Sequence, residues 1–260
     1  MLNFFRSFPL REYQFQDETN DKIFIVDISK NVRAFLDEMD NHTYYLWETV
    51  SDGSRPDQLS MKLYKTPNYW WTFFVINPRL NDGLHQWPKS SLELENYVTS
   101  KYGNRIALTP IQKSGSVNDV HLISNRNTDI IIGEQVLGFD SGATGVVEKV
   151  NHQLNQVIVK DVVGEFSDSE SIGFITSTIV FSFNADHKVL IQSYEDAVHH
   201  YIDSDGNWID RLRFNEDDTE LPVTNFDYEL KENDNKMDLK VLNASVVDEF
   251  ATRYKKLINS

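Results

Sequence analysis

Four of the five tryptophans, Trp47, Trp70, Trp71 and Trp87, fall between Tyr44 and Trp87, with Trp208 the exception. This aromatic density makes the run the seat of a core around which the rest of the chain is organised. Tyr44 to Val50 is aromatic and β-branched enough for a strand, and Ser51-Asp52-Gly53-Ser54 has turn chemistry. Arg55-Pro56 predicts a helix start, because the first turn tolerates proline's missing N–H. Leu59, Leu63 and Tyr64 then recur at helical spacing. Pro67-Asn68 interrupts, Tyr69 to Ile76 is apolar nearly all round and predicts a buried second helix, and Asn77-Pro78 ends it.

Residues 1–20 begin apolar, with Leu2, Phe4, Phe5 and Phe8, and turn polar after Arg11. Those phenylalanines have no obvious intrachain partner, so this amino-terminal arm is expected to order only on a neighbour. Ile23 to Ile28 predicts a strand, and Asn31 to Met39 an amphipathic helix through Val32, Phe35, Leu36 and Met39. Ser90-Ser91 precedes a further helix carrying Leu92, Leu94, Tyr97 and Val98, with Gly103 as its stop.

From Ile106 the texture changes, and between Ile111 and Ile191 short β-branched runs alternate with glycine-containing turns. Strands are predicted at Ile130 to Ile132, Gln135 to Leu137, Gly145 to Val150, Gln156 to Val163 and Thr178 to Phe183, with turns at Asp140 to Gly145 and Val163 to Phe166. Ile132 to Val136 faintly echoes Ser169 to Gly173. This pattern fits a small barrel or sandwich. Tyr194 to His200 reads as a short helix or an approach strand, and Ser204-Asp205-Gly206 as the turn of a hairpin. Asn225 to Asn243 alternates weakly towards a strand at Leu239, Val241 and Leu242, and Ser245 caps a last helix bearing Val246, Phe250, Tyr254, Leu257 and Ile258.

Composition bounds the function. With 260 residues, 40% hydrophobic and 25% charged, the chain has the makeup of a folded protein with one or two domains. A net charge of −15 argues against a nucleic-acid backbone or an anionic membrane as the main partner. The absence of cysteine removes disulfides, thiolate nucleophiles and Cys-ligated zinc. The amino terminus has no signal-peptide pattern, and no apolar run approaches the roughly 20 residues of a spanning helix.

Two stretches resemble a known family. Tyr44-Tyr45, Arg55-Pro56-Asp57 with Leu59 and Tyr64, and Tyr69-Trp70 with Asn77 resemble the β-α-α-β module of the small LysM-like wedge subunit of T4-type contractile phage baseplates. Far downstream, Tyr228 to Asn233, Met237 to Leu242 and the helix to Leu257 resemble the same subunit. The resemblance implies an α+β fold. Its parts are an arm (1–20), a LysM-like wedge domain with flanking helices (21–110), an inserted all-β barrel or sandwich (111–191), and a C-terminal strand-helix segment (192–260) that completes the wedge fold. It also implies a non-enzymatic structural role in the virion, assembled in the host cytoplasm. Several copies would contact other wedge proteins and hold neighbouring wedges together. The long β insertion departs from the compact family pattern.

No catalytic, cofactor or metal site is expected. There is no G-x-S-x-G elbow and no H-E-x-x-H. The glycine-rich stretch Gly138 to Gly145 continues into Val146-Val147 where a phosphate loop needs Lys-Ser/Thr. His199-His200 are adjacent, so in regular structure they point apart. Asp203-Ser204-Asp205-Gly206 places its glycine too early for a calcium loop. The asparagine triplets at Asn41 and Asn243 carry no meaning without a secretory signal. Tyr69-Trp70-Trp71 could stack on sugars but reads better as core. The expected protein-contact residues are Phe4, Phe5, Phe8, Tyr45, Trp47, Arg55 and Trp87, since large aromatics and arginine anchor interfaces. The competing reading is a LysM-type module binding peptidoglycan. A wall hydrolase, without nucleophile or metal motif, ranks third.

Overall fold

The computed structural model describes residue 4 and residues 8–14, 22–27, 44–112, 129–168, 170–181, 187–209 and 221–259. The fold is mixed α and β and divides into two compact units, Met1–Glu93 with Glu232–Ser260, and Leu94–Lys231. The predicted helix at Asn31 to Met39 lies outside the described residues.

The first unit opens with a hairpin of β1 (Leu10–Gln14) and β2 (Lys22–Val26), every residue of which is exposed. β3 (Tyr45–Thr49) leads through a turn into α1 (Pro56–Tyr64). Gly53 supplies the positive φ, +68°, that this turn requires. The Gln58 side chain accepts a 3.0 Å hydrogen bond from the Arg55 N–H and so caps the helix. The predicted second helix is shorter than its apolar run: Pro67–Tyr69 forms a 3₁₀ turn, and α2 is only Thr72–Ile76. Two further 3₁₀ turns lead to α3 (Ser91–Tyr102), where the chain passes into the second unit.

The second unit contains β4 (Arg105–Gln112), β5 (Gln135–Gly138), β6 (Thr144–Asn151), β7 (Gln156–Val163), β8 (Ile172–Phe174), β9 (Val180–Phe181) and β10 (His187–Ser193). They form one sheet in the order β10-β4-β7-β6-β5-β8-β9, each neighbouring pair antiparallel. All seven strands feed one core: Leu108, Val136, Val147, Val157, Val159, Ile172, Phe174, Phe181 and Val189 pack in a single cluster. The edge strands β9 and β10 share that cluster, so the sheet curls into a nearly closed barrel and is not a sandwich. The barrel begins at Arg105, ahead of the texture change, because the alternating Ile106 and Leu108 face its core. A three-stranded sheet follows, from β11 (Val198–Ile202), β12 (Trp208–Ile209) and β13 (Leu221–Thr224), in the order β12-β11-β13.

Two sequence expectations fail here. Ile130 to Ile132 is a turn and not a strand, with Ile131 and Ile132 exposed. The weakly alternating stretch from Asn225 is a helix, α4 (Asn225–Met237), which returns the chain to the first unit. Thr224 and Asp227 start it by a reciprocal cap: Thr224 Oγ1 donates to Asp227 Oδ2 at 2.8 Å and accepts from the Asp227 N–H at 3.0 Å. β14 (Asp238–Leu242) and α5 (Val247–Asn259) complete the chain.

β14 closes the first unit by pairing antiparallel with β3, from Asp238 opposite Thr49 to Leu242 opposite Tyr45. Asn77 extends this layer. Its side chain donates to the Lys240 carbonyl at 2.9 Å and accepts from the Lys240 N–H at 2.9 Å, imitating a third strand. Asn233 makes a similar clasp where the chain re-enters, accepting from the Lys89 N–H at 2.8 Å and donating to its carbonyl at 3.0 Å. Leu59, Phe73, Leu80, Leu239 and Val241 fill the space beneath.

The faint sequence echo marks a structural repeat, but in a register one residue different, with Glu134 matching Glu170. The hydrogen bonds from the Glu134, Gly138 and Phe139 N–H groups to Ile131, Ala143 and Ser171 are matched by those from Glu170, Phe174 and Ile175 to Ser167, Ile179 and Gln135. The donors shift by 36 residues, as 134 to 170 and 138 to 174 show, and the hairpins β5–β6 and β8–β9 correspond. Each half buries one glutamate that braces the other half's turn. Glu134 accepts from the Thr176 and Ser177 N–H groups at 3.0 and 2.8 Å, and Glu170 from Asp140 and Ser141 at 3.0 and 2.9 Å. Gly138 permits this, since a Cβ there would stand 2.6 Å from the Glu170 carboxylate oxygens. Burial alone would raise the Glu170 carboxyl, but hydrogen bonds from Ser141, Ser167 and Asp140 outweigh it and hold it below its ordinary value.

Replacing Glu170 by alanine should strand its donors and cost about 3 kcal/mol in denaturant unfolding. Because folding depresses its pKa, Glu170 stabilises fully above the ordinary carboxylate value, and that contribution disappears as the pH falls through the lower folded value. The acid limb of stability against pH should therefore be shallower in Glu170→Gln than in the wild type. Asn77→Ala should cost about 2 kcal/mol by the same measurement, through the unpaired polar groups of Lys240.

Candidate functional site

The expected contact residues fall into four places in the first unit, the β3–β14 face, the start of α1, the core and the amino-terminal arm, and Phe5 lies outside the described residues. The outward face of the β3–β14 layer carries Tyr45, Trp47 and Thr49, since alternate strand residues share a face. Lys240, opposite Trp47, lays its ammonium 4.7 Å from the Tyr45 ring centre and 5.8 Å from that of Trp47. The two rings meet edge to face at 6.4 Å. Trp47 is 59% exposed, which leaves an aromatic platform with one ammonium and the Asp238 carboxylate at its margin. Such a surface can desolvate large rings against a partner and orient it through a few charges.

Arg55 stands at the start of α1, where its guanidinium holds Asp57 through two 3.1 Å bonds while its side chain remains largely exposed. Trp87, expected to be exposed, is core instead. Its ring packs on Phe73 and Phe74, and its indole N–H donates to the Ser54 carbonyl at 2.7 Å. That bond satisfies the indole's only donor, so burial costs nothing in unpaired polarity.

The arm also differs from expectation. Phe8 is buried and Phe4 half-buried among Trp70, Trp71, Tyr254 and Ile258. Phe4 stacks on Trp71 at 4.6 Å and meets Phe8 edge to face at 5.0 Å. The partner was not obvious in the sequence because half of it comes from α5, some 250 residues downstream. Tyr69-Trp70-Trp71 read as core, and Trp70 and Trp71 are buried. The Tyr69 hydroxyl is bonded to Asp248.

In the second unit a further cluster forms around His199 and His200, which strand alternation was expected to point apart. β11 bulges between Val198 and His200, so that His199 is an extra residue against β13. The bulge overrides strand alternation and brings the two imidazoles together, Nδ1 to Nδ1 at 2.9 Å. His199 stacks on Tyr228 of α4 at 4.0 Å and 9°, and His200 lies on Trp208 at 4.0 Å and 30°. Burial pushes both imidazoles below their ordinary value; for His199 the Lys101 and Lys149 charges add to this and Glu229 opposes it. A cleft of about 260 Å³ beside them is lined by Asn151, Gln153, Tyr201 and Trp208.

Among the described residues, no group of three or more His, Cys, Asp or Glu side chains is placed to hold a metal ion, and no helix is long and apolar enough to cross a membrane. No family model matches the chain, and no curated protein matches it.

The arm and the β3–β14 face should respond differently to truncation. Phe8→Ala should destabilise by about 3 kcal/mol through the cavity it leaves. Trp47→Ala, on an exposed face, should stay within about 0.5 kcal/mol of wild type. Thermal and denaturant unfolding of the two variants would measure this contrast.

Proposed function

We propose that this chain is a structural protein of a contractile phage tail, a wedge component of the baseplate that holds neighbouring wedges together during assembly. The observation that carries the reading is the β3–β14 pairing. The two stretches that resemble the wedge subunit lie far apart in sequence, Thr49 and Asp238 being 189 residues apart, yet they form one layer packed on α1 and α2. Among the helices between the two strands in chain order, α1 and α2 pack beneath the layer they form, and we read these four elements as the β-α-α-β core of a LysM-like module. The barrel then stands as an insertion in that module. In this role the chain acts without catalysis, in several copies per virion, and its partners are other wedge proteins.

The Tyr45–Trp47–Lys240 face is the part of the module offered to those partners. The same exposed rings would also stack on sugar, which is the one observation favouring a peptidoglycan-binding module instead.

Quantitative mass spectrometry of isolated tails, with electron cryomicroscopy of the tail end, tests the reading. A fixed copy number at the baseplate is expected, with Trp47 covered by another subunit. Trp47→Ala should reduce incorporation while the isolated protein stays folded. Absence from the particle, together with retention on insoluble peptidoglycan, would overturn the assembly role in favour of glycan binding.

A further inference from the structure

The His199–His200 pair has no part in the assembly role. The ring centres are 5.1 Å apart for an N–N separation of 2.9 Å, so the two Nδ1 atoms face each other nearly along the line of centres. Lone pairs that converged on a metal would instead make an angle at it. The geometry is that of one N–H···N hydrogen bond, which requires one ring to carry its proton on Nδ1 and the other to leave Nδ1 bare.

We propose that this pair is an acid-operated latch: the shared proton holds the β11–β12 hairpin against Tyr228 of α4, and doubly protonating the pair releases it. Proton bookkeeping defines the two steps. In the neutral pair the donor ring has a bare Nε2, and a first added proton can sit there with the Nδ1–H···Nδ1 bond intact. A second added proton has only the acceptor's Nδ1 lone pair to take. That lone pair is the one accepting the bond, so the bond breaks and two imidazolium cations stand nitrogen to nitrogen. No other bond changes. The two steps belong to the pair and not to either ring.

The surroundings make the second step disruptive. The charged groups that bear on His199 are Glu229 of α4, Lys101 of α3 and Lys149 of β6, and on His200 they are His199 and Lys231 of α4. Only Glu229 is acidic, and its carboxylate already accepts from the Tyr102 hydroxyl at 2.8 Å and pairs with the Lys101 ammonium. Among the described residues, no carboxylate is therefore left to hold the second imidazolium. Because folding lowers both imidazoles from 6.5, the latch is fully closed above that pH and gives way as the pH falls through the lower folded values. Its two stacking partners carry the motion outward. Trp208 is 63% exposed and rides on His200 at the hairpin's end, so losing the bond frees the hairpin on one side and Tyr228 on the other.

The full chain, labelled with ¹⁵N in its tryptophan side chains, gives five indole signals, and Trp208→Phe assigns the relevant one. Between about pH 8 and about pH 4 the Trp208 signal should move with a midpoint below 6.5 while those of Trp70, Trp71 and Trp87 hold. His199→Gln and His200→Gln should each abolish the movement, since glutamine does not titrate. A static Trp208 signal, a transition that survives in both variants, or movement of all five signals together would overturn the latch. If a glutamine variant does not fold, imidazole ¹⁵N spectra of the wild type decide. One ring should stay neutral until the Trp208 transition, and independent titration of both near 6.5 would overturn the proposal.

Discussion

The first unit depends on one pairing, that of β3 with β14, whose nearest partners, Thr49 and Asp238, are 189 apart in sequence. A two-stranded layer is marginal by itself, and here it becomes stable by covering Leu59, Phe73, Leu80 and Trp87. It requires the chain to leave and come back to the same place. Two asparagines enforce that return. Asn233 clasps Lys89 at the point of re-entry, and Asn77 binds the Lys240 backbone at the edge of the layer. Both are buried amides with carbonyl and NH₂ each engaged, an arrangement that specifies register more sharply than apolar contact does. Closing so long a loop costs entropy that only the completed layer offsets, so formation of this unit waits on its last strand.

The elements legible in the sequence were those whose pattern is local. α1, α3, α5 and β7 follow from helical spacing, caps and β-branched runs, and each lies where those signals placed it. α4 was missed because Asn225 to Met237 is strongly polar and presents few apolar residues from which to read a period. Its start was nonetheless written in Thr224 and Asp227. Ile130 to Ile132 misled in the opposite sense: three β-branched residues predict a strand, but the Ile131 N–H donates to Glu134 and folds the segment into a turn.

The contact surface was only partly legible for the same reason. Trp47 is exposed as expected because strand alternation around Leu239 and Val241 fixes its side of the layer. The burial of Trp87 depends on Ser54, and that of Phe4 and Phe8 on Tyr254 and Ile258, neither of which spacing reveals. The histidine pair was read through strand alternation, which a single bulged residue reverses.

The 36-residue repeat in the barrel has a further consequence. Gly142 and Thr178 occupy equivalent positions, and both have left-handed backbone, at φ +68° and +58°. Glycine takes that conformation freely, whereas a β-branched residue is strained in it. The two halves therefore solve one turn in two ways, and only one solution is relaxed. A repeat of this kind is an experiment run twice within a single chain, and comparing its halves shows an engineer where unspent stability remains.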